Sequence, residues 1–207
     1  MQGLEIVPAT REHNEAIREI YNVEVRRSLF TLDLEQRTIM EQGQWLAEHQ
    51  EHRWPAFVAI LNGSLVGYAA LSQYQPSDGY RYTVEDTVYV HQAERGTGLG
   101  KLLLARLIEA ARERSYHAVV ARLVAGHEPA IKLHTLFGFR QISLEKEIAY
   151  KFDRWLDVLT MELLLPVSIP TSPRPDENPA ISSNGHSPAE EAGSEVAAPP
   201  EAAASGD

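Results

Sequence analysis

Residues 95–101 of this chain read Arg-Gly-Thr-Gly-Leu-Gly-Lys, and their types and spacing suit one kind of chemistry. Gly96, Gly98 and Gly100 alternate with other residues. Glycine takes positive φ without steric cost, so successive backbone N–H groups can turn into one concavity. A helix that begins at once adds its unpaired first-turn N–H groups and the positive end of its dipole. The result is a seat for a phosphate or pyrophosphate, with Arg95 and Lys101 adding positive charge at either end. Two well-known phosphate loops do not fit. A Walker A loop needs a glycine where Arg95 stands, and Ser or Thr where Leu102 stands to hold magnesium. A dinucleotide fingerprint needs its third glycine where Lys101 stands and an acid on the next strand, and residues 118–124 contain none. The pattern left is R-x-x-G-x-G, carried by Arg95, Gly98 and Gly100.

A strand and a helix must hold this turn. Upstream, residues 83–90 (TVEDTVYV) are rich in β-branched residues and suit a partly buried strand. Strand alternation puts Val84, Asp86 and Val88 on one face and Glu85, Thr87 and Tyr89 on the other. Glu85 is out of character in such a run. Downstream, Leu102, Leu103, Ala105, Arg106, Leu107 and Ala110 recur at helical spacing.

The flanking elements alternate between strand and helix. Residues 4–7 form a predicted strand, and a helix starts at Thr10 or Arg11 with Ala16, Ile17, Ile20, Tyr21 and Val25 on one face. Residues 28–35 are a loop. A second helix is predicted over 36–50, with Ile39, Met40, Gly43, Leu46 and Ala47 facing inward. Strands follow at 55–61 and 65–73, joined by an Asn62-Gly63 hairpin turn. Beyond the glycine-rich turn come a strand at 118–124, a short helix at 128–137 capped by Gly138, and strands at 140–150 and 153–165.

Composition bounds the rest. The chain's 207 residues allow one domain, residues 1–166, and an extension. Cysteine is absent, which excludes a disulfide framework and a cysteinyl acyl-enzyme. No apolar run of about 18 residues and no basic-plus-apolar leader stands out, so a cytoplasmic protein with no membrane partner is expected. From residue 167 onward seven acids face Arg174 alone, six of the ten net negative charges. That Pro-, Ala- and Ser-rich stretch, residues 167–207, is expected to be disordered. The mildly acidic remainder gives no support for a nucleic-acid partner.

Four segments in order, TVEDTVYV, RGTGLG, EPAIKLHTLFGF and KFDRWLDVLTMEL, resemble the phosphinothricin-acetyltransferase-like branch of the GNAT superfamily of N-acetyltransferases. The likeness covers most of residues 4–166. It implies an α/β fold with a mixed, mostly antiparallel central sheet flanked by helices. Its parallel fourth and fifth strands splay to admit the pantetheine arm of acetyl-CoA. It implies that the turn of Arg95, Gly96, Thr97, Gly98, Leu99, Gly100 and Lys101 takes the pyrophosphate. The backbone of Val88, Tyr89 and Val90 would pair with the pantetheine amides, and the Val90 N–H would meet the oxyanion. Glu85 matches the family's general base, acting directly or through water.

His134 matches the branch's histidine where many GNAT members carry tyrosine. It would protonate the leaving thiolate or hold a water, and a satisfied core histidine is the alternative. His127 stands where the family usually has an asparagine that touches the cofactor, and an exposed loop histidine is the alternative. Phe30 and Thr31 match the segment that lines the acceptor pocket. Arg81 is the only base in the loop before the fourth strand, because Gln75 and Ser77 stand where the branch tends to carry Lys and Arg. Arg81 is therefore the expected substrate anchor. Tyr150 is a candidate for the substrate site or a dimer contact, with a strand-edge aromatic as the alternative.

The reaction implied is direct attack of a small primary amine, an amino acid or its analogue, on acetyl-CoA in a homodimeric, metal-free enzyme. Acetylation of protein N-termini or lysines, and a non-catalytic acyl-CoA sensor, are the alternatives.

Overall fold

A computed structural model describes residues 2–166; the acidic extension lies outside the described residues. The elements are β1 (Leu4–Pro8), α1 (Asn14–Arg27), α2 (Ile39–Glu51), β2 (Ala56–Leu61), β3 (Ser64–Gln73), β4 (Thr83–Val90), α3 (Leu99–Glu113), β5 (Ala118–Val124), α4 (Glu128–Leu136), β6 (Arg140–Lys151) and β7 (Arg154–Leu164). The strands form one seven-stranded sheet in the order β1-β2-β3-β4-β5-β7-β6. Every neighbouring pair is antiparallel except β4 and β5. This is the mixed, mostly antiparallel α/β sheet that the sequence led us to expect. The β2–β3 turn uses positive φ at Asn62 (49°) and Gly63 (83°), as an Asn-Gly hairpin requires.

The parallel pair is short. Only Thr83, Val84 and Glu85 of β4 pair with Ala118, Val119 and Val120 of β5. Beyond that point β4 continues along β3 to Val90, and β5 continues along β7 to Val124. The sheet therefore forks after Glu85.

Helices cover both faces. On one, Leu99, Leu103, Leu104 and Leu107 of α3 pack on Ala69, Leu71, Val84, Val119 and Ala121. The approach is close at Gly67, where an added Cβ would lie 2.9 Å from the Tyr89 carbonyl oxygen and 3.2 Å from Leu103 Cδ1. On the other face Ile17, Ile20, Tyr21 and Val25 of α1 pack on Val58 and Tyr68.

Helix α2 departs from the reading of its inward face. Ile39 and Met40 are 71% and 84% exposed, Ala47 is exposed, and the buried positions are Gln42, Leu46 and His49. Two local anchors set this phase. A capping box between Thr38 and Glu41 starts the helix at Ile39 rather than at Gln36. The buried polar side chains then find partners: Gln42 accepts from Arg37, and His49 bonds the Trp45 carbonyl and the Ser72 hydroxyl. Gln42 and His49 thus occupy the face that apolar periodicity assigned to Ile39 and Met40, with the Gln42 Nε2 buried without a partner among the described residues.

Candidate active site

The fork leaves backbone groups without strand partners. The His91 N–H bonds back to Val66 of β3. Strand alternation then turns the groups of Val88 and Val90 away from β3, into the gap. Tyr89, expected to pair there with them, instead turns its backbone to β3 opposite Tyr68. Buried amide groups need partners, and an extended ligand with its own amides supplies them as an added strand would.

The glycine-rich turn stands at the open end. Among the described residues the N–H groups of Gly96, Thr97, Gly98, Leu99 and Gly100 have no hydrogen-bond partner. Gly98 caps α3 at φ 95°, and the directions a Cβ would take at Gly96 and Gly98 are empty within 4 Å. Five consecutive unpartnered donors at the start of a helix fit a pyrophosphate. Lys101 is exposed beside them, whereas the Leu99 side chain is in the core. Thr97 is folded back, its hydroxyl donating to the Glu94 carbonyl at 2.7 Å. Arg95 does not extend toward the turn as expected. Its guanidinium forms an ion pair with Glu24 of α1 and donates to the Val90 carbonyl at 3.2 Å.

At the base of the fork, on the α3 face, Asp86 meets His134. The His134 Nε2 lies 2.9 Å from Asp86 Oδ2, and its Nδ1 lies 2.8 Å from the Ala130 carbonyl. His134 is only 3% exposed. Both of its neighbours carry acceptor oxygens, a setting that favours the doubly protonated imidazolium. Burial opposes that charge, but the Asp86 carboxylate and the Ala130 carbonyl outweigh it and hold the pKa above the ordinary histidine value. The second oxygen of Asp86 is buried without a partner among the described residues.

His127, at the start of α4, is neither free nor fully exposed. Its ring stacks on Phe30 with centroids 3.7 Å apart and planes 5° from parallel. Burial first, then nearby Arg95, push its pKa down to about 4. It is a neutral ring that ties the α1–α2 loop to the far half of the sheet.

The opposite face carries Glu85. It is half-buried, and burial raises its pKa; Arg122 opposes that shift and Asp86 adds to it. Ser72 lies across from Glu85 on β3 and donates to Nε2 of neutral His49 at 3.1 Å. Above them Tyr68 stacks on Tyr89 with centroids 5.4 Å apart, and Tyr21 meets Tyr89 edge-on. Tyr21 donates to Asp33, and the Arg37 guanidinium sits 3.8 Å from the Tyr21 ring centre. Thr31 is buried beside them, and its carbonyl accepts from buried Lys151 at 2.8 Å. Arg81 and Tyr150 stand apart from this cluster. The Arg81 guanidinium donates to the Asp78 carbonyl and covers the Tyr82 ring. Tyr150 is exposed, packs on Trp155 and reaches Asp153, which fits the edge-aromatic alternative.

Residues 14–139 match the Acetyltransferase (GNAT) family. This chain belongs to the GNAT acetyltransferases. It is an acetyl-CoA-dependent N-acetyltransferase, and acetyl-CoA is its co-substrate. It is 38% identical over 155 residues to the L-methionine sulfoximine/L-methionine sulfone acetyltransferase of Salmonella typhimurium, covering 72% of this chain and 88% of that one. It is 32% identical over 162 residues to the phosphinothricin N-acetyltransferase of Streptomyces coelicolor, 77% of this chain and 95% of the relative. The crystal structure of a GNAT superfamily phosphinothricin acetyltransferase from Sinorhizobium meliloti in complex with AcCoA superposes with a TM-score of 0.79 at 27% identity, over 86% of this chain and 97% of that one.

Several residues of this GNAT enzyme's site escaped the sequence reading. Asp86, on the face opposite Glu85, is the partner of His134. Glu24, Lys151, Arg37 and His49 lie far from the motifs in sequence, and apolar periodicity does not single them out. Two outcomes follow from the geometry. Gly98→Val places a β-branched residue at positive φ, a strain of about 1–3 kcal/mol, and should weaken CoA binding by calorimetry about tenfold or more; unchanged affinity would remove the turn from the pyrophosphate site. The raised pKa of His134 stabilises the fold fully below about pH 6.5, and that contribution should fade as pH rises through the folded-state value. Chemical denaturation of wild type minus Asp86→Asn should show the decline, and a difference that stays flat above that pH would contradict the pairing.

Proposed function

We propose that this enzyme acetylates the α-amine of a small amino acid or amino-acid analogue by direct attack in a ternary complex. The observation that carries the reading is Glu85, a half-buried carboxylate with a raised pKa at the fork, on the face opposite the Asp86–His134 pair. The names of the relatives support the substrate class, since both act on amino-acid analogues.

The steps balance without a covalent enzyme intermediate. Glu85, or a water it holds, takes a proton from the ammonium. The freed amine adds to the thioester carbonyl, and the Val90 N–H meets the oxyanion. The C–S bond then breaks, the acetyl group stays on nitrogen, and the nitrogen gives up its second proton to water. The CoA thiolate acquires a proton from His134 or from water. Both N–H donors of His134 are engaged, so a direct transfer requires Nε2 to leave Asp86. The imidazolium therefore acts first through its charge, which favours a nearby thiolate.

Thiol release from acetyl-CoA across amino acids, methionine sulfone, methionine sulfoximine, phosphinothricin, polyamines and short peptides tests the acceptor class. Turnover confined to peptides would replace it with protein acetylation. For the best acceptor, kcat/KM should rise with pH as Glu85 loses its proton, because the carboxylate is the active form. Glu85→Gln should lower kcat/KM by about 10²–10⁴ and flatten that limb. An unchanged profile would remove Glu85 from the mechanism.

The same reading places the enzyme in the cytoplasm as a homodimer. Ile142, Leu144, Ile148, Tyr150, Phe152 and Trp155 are exposed on β6, β7 and the turn between them. Exposed apolar clusters of this kind mark interaction sites. Sedimentation should give a dimer for the wild type and a monomer for Trp155→Glu; a monomeric wild type would end this assignment.

A further inference from the structure

We propose that Arg122 is the anchor for the acceptor's carboxylate, so that Glu85 and Arg122 together recognise the two charges of an α-amino acid zwitterion. This rests on the acetyltransferase reading above and adds the residue that selects the substrate. The sequence had pointed to Arg81 for this task.

Position is the first argument. Glu85 pairs with Val120, the last residue of β5 joined to β4. Arg122 lies two residues further along β5, so its side chain leaves on the same face as Val120 and Glu85. It stands on one wall of the fork, just past the point where the strands part, and Glu85 stands where the parting begins. Neighbouring strands lie about 4.8 Å apart, a spacing on the scale of the separation between an amino acid's ammonium and carboxylate.

Availability is the second argument. The other cations around the acceptor face are committed. Arg95 is paired with Glu24, Lys151 donates to Thr31, Arg37 covers Tyr21 and bonds Gln42, and Arg81 is held by Asp78 and Tyr82. Arg122 is exposed, and among the described residues its guanidinium has no hydrogen bond or ion pair. The nearest acid on the adjoining strand, Glu162 opposite Val120, is already bonded twice by Arg140. A guanidinium binds a carboxylate through two parallel N–H donors, which fixes orientation as well as position.

The pair also couples binding to chemistry. Arg122 holds down the basicity of Glu85. A substrate carboxylate on the guanidinium cancels that field, so Glu85 becomes a stronger base when the correct acceptor is seated. An amine without an acid group leaves the brake in place.

The test separates the anchor from the reaction. Calorimetry measures binding of alanine, methionine and methionine sulfone, and of their amides, to the enzyme saturated with CoA. The wild type should bind the best of the acids about ten- to a hundredfold more tightly than its amide. Arg122→Met should bring that ratio close to one, and Arg122→Lys should keep part of it, with melting curves showing that both variants fold. Equal binding of acid and amide, binding of none of the acids, or a preference that survives Arg122→Met and is lost in Arg81→Gln would each overturn the proposal. Thiol release is read separately. Acid-selective binding with no turnover would sink the acetyl-transfer reading and leave the anchor in place.

Discussion

The parting of β4 from β5 is the constraint on which this molecule depends. A parallel pair that ends after three residues leaves two strand edges facing each other inside the domain. Backbone amides on those edges cannot remain buried and unpaired, so the gap is stable only if solvent or a ligand enters it. The pantetheine arm of acetyl-CoA is an extended chain with two amides, and it would meet that need. The five free donors at the start of α3 extend the same logic to the pyrophosphate.

A sheet split in this way must be tied together by side chains. Three ties cross from one half, or its covering loops, toward the other. The Asp86–His134 pair links β4 to α4, the Phe30–His127 stack links the α1–α2 loop to the α4 start, and Lys151 links the end of β6 to Thr31. Arg95 and Glu24 bind the end of β4 to α1 on the near half. Breaking one partner of a buried charged pair costs more than its formation yields, because the survivor stays buried and uncompensated. The Asp86–His134 tie is therefore harder to break than its net stabilisation would suggest.

The fold was legible in the sequence because it rests on local signals. Alternation marked the strands, Asn62-Gly63 marked the hairpin, and the glycines marked the strand–turn–helix core of the site. Alternation along β4 also put Glu85 and Asp86 on opposite faces. The failures share one cause. Ile39 and Met40 were assigned inward because periodicity counts apolar residues and cannot see that Gln42 and His49 find hydrogen-bond partners. Arg95 was assigned to the phosphate because its nearest neighbours in sequence are glycines, whereas its partner Glu24 is 71 residues away. Asp86 and Arg122 gain their meaning only once the fork is known, since it sets what lies across from each.

The gap runs between the strands, and a different helical layer borders it on each face. In the proposed reaction acetyl-CoA enters along the edge that carries α3 and α4, and the amine reaches Glu85 from the face of α1 and α2. The two reactants meet edge to edge without sharing a doorway. In that arrangement neither reactant would block the other's entry. The acetylated product would then leave on the side by which the amine came.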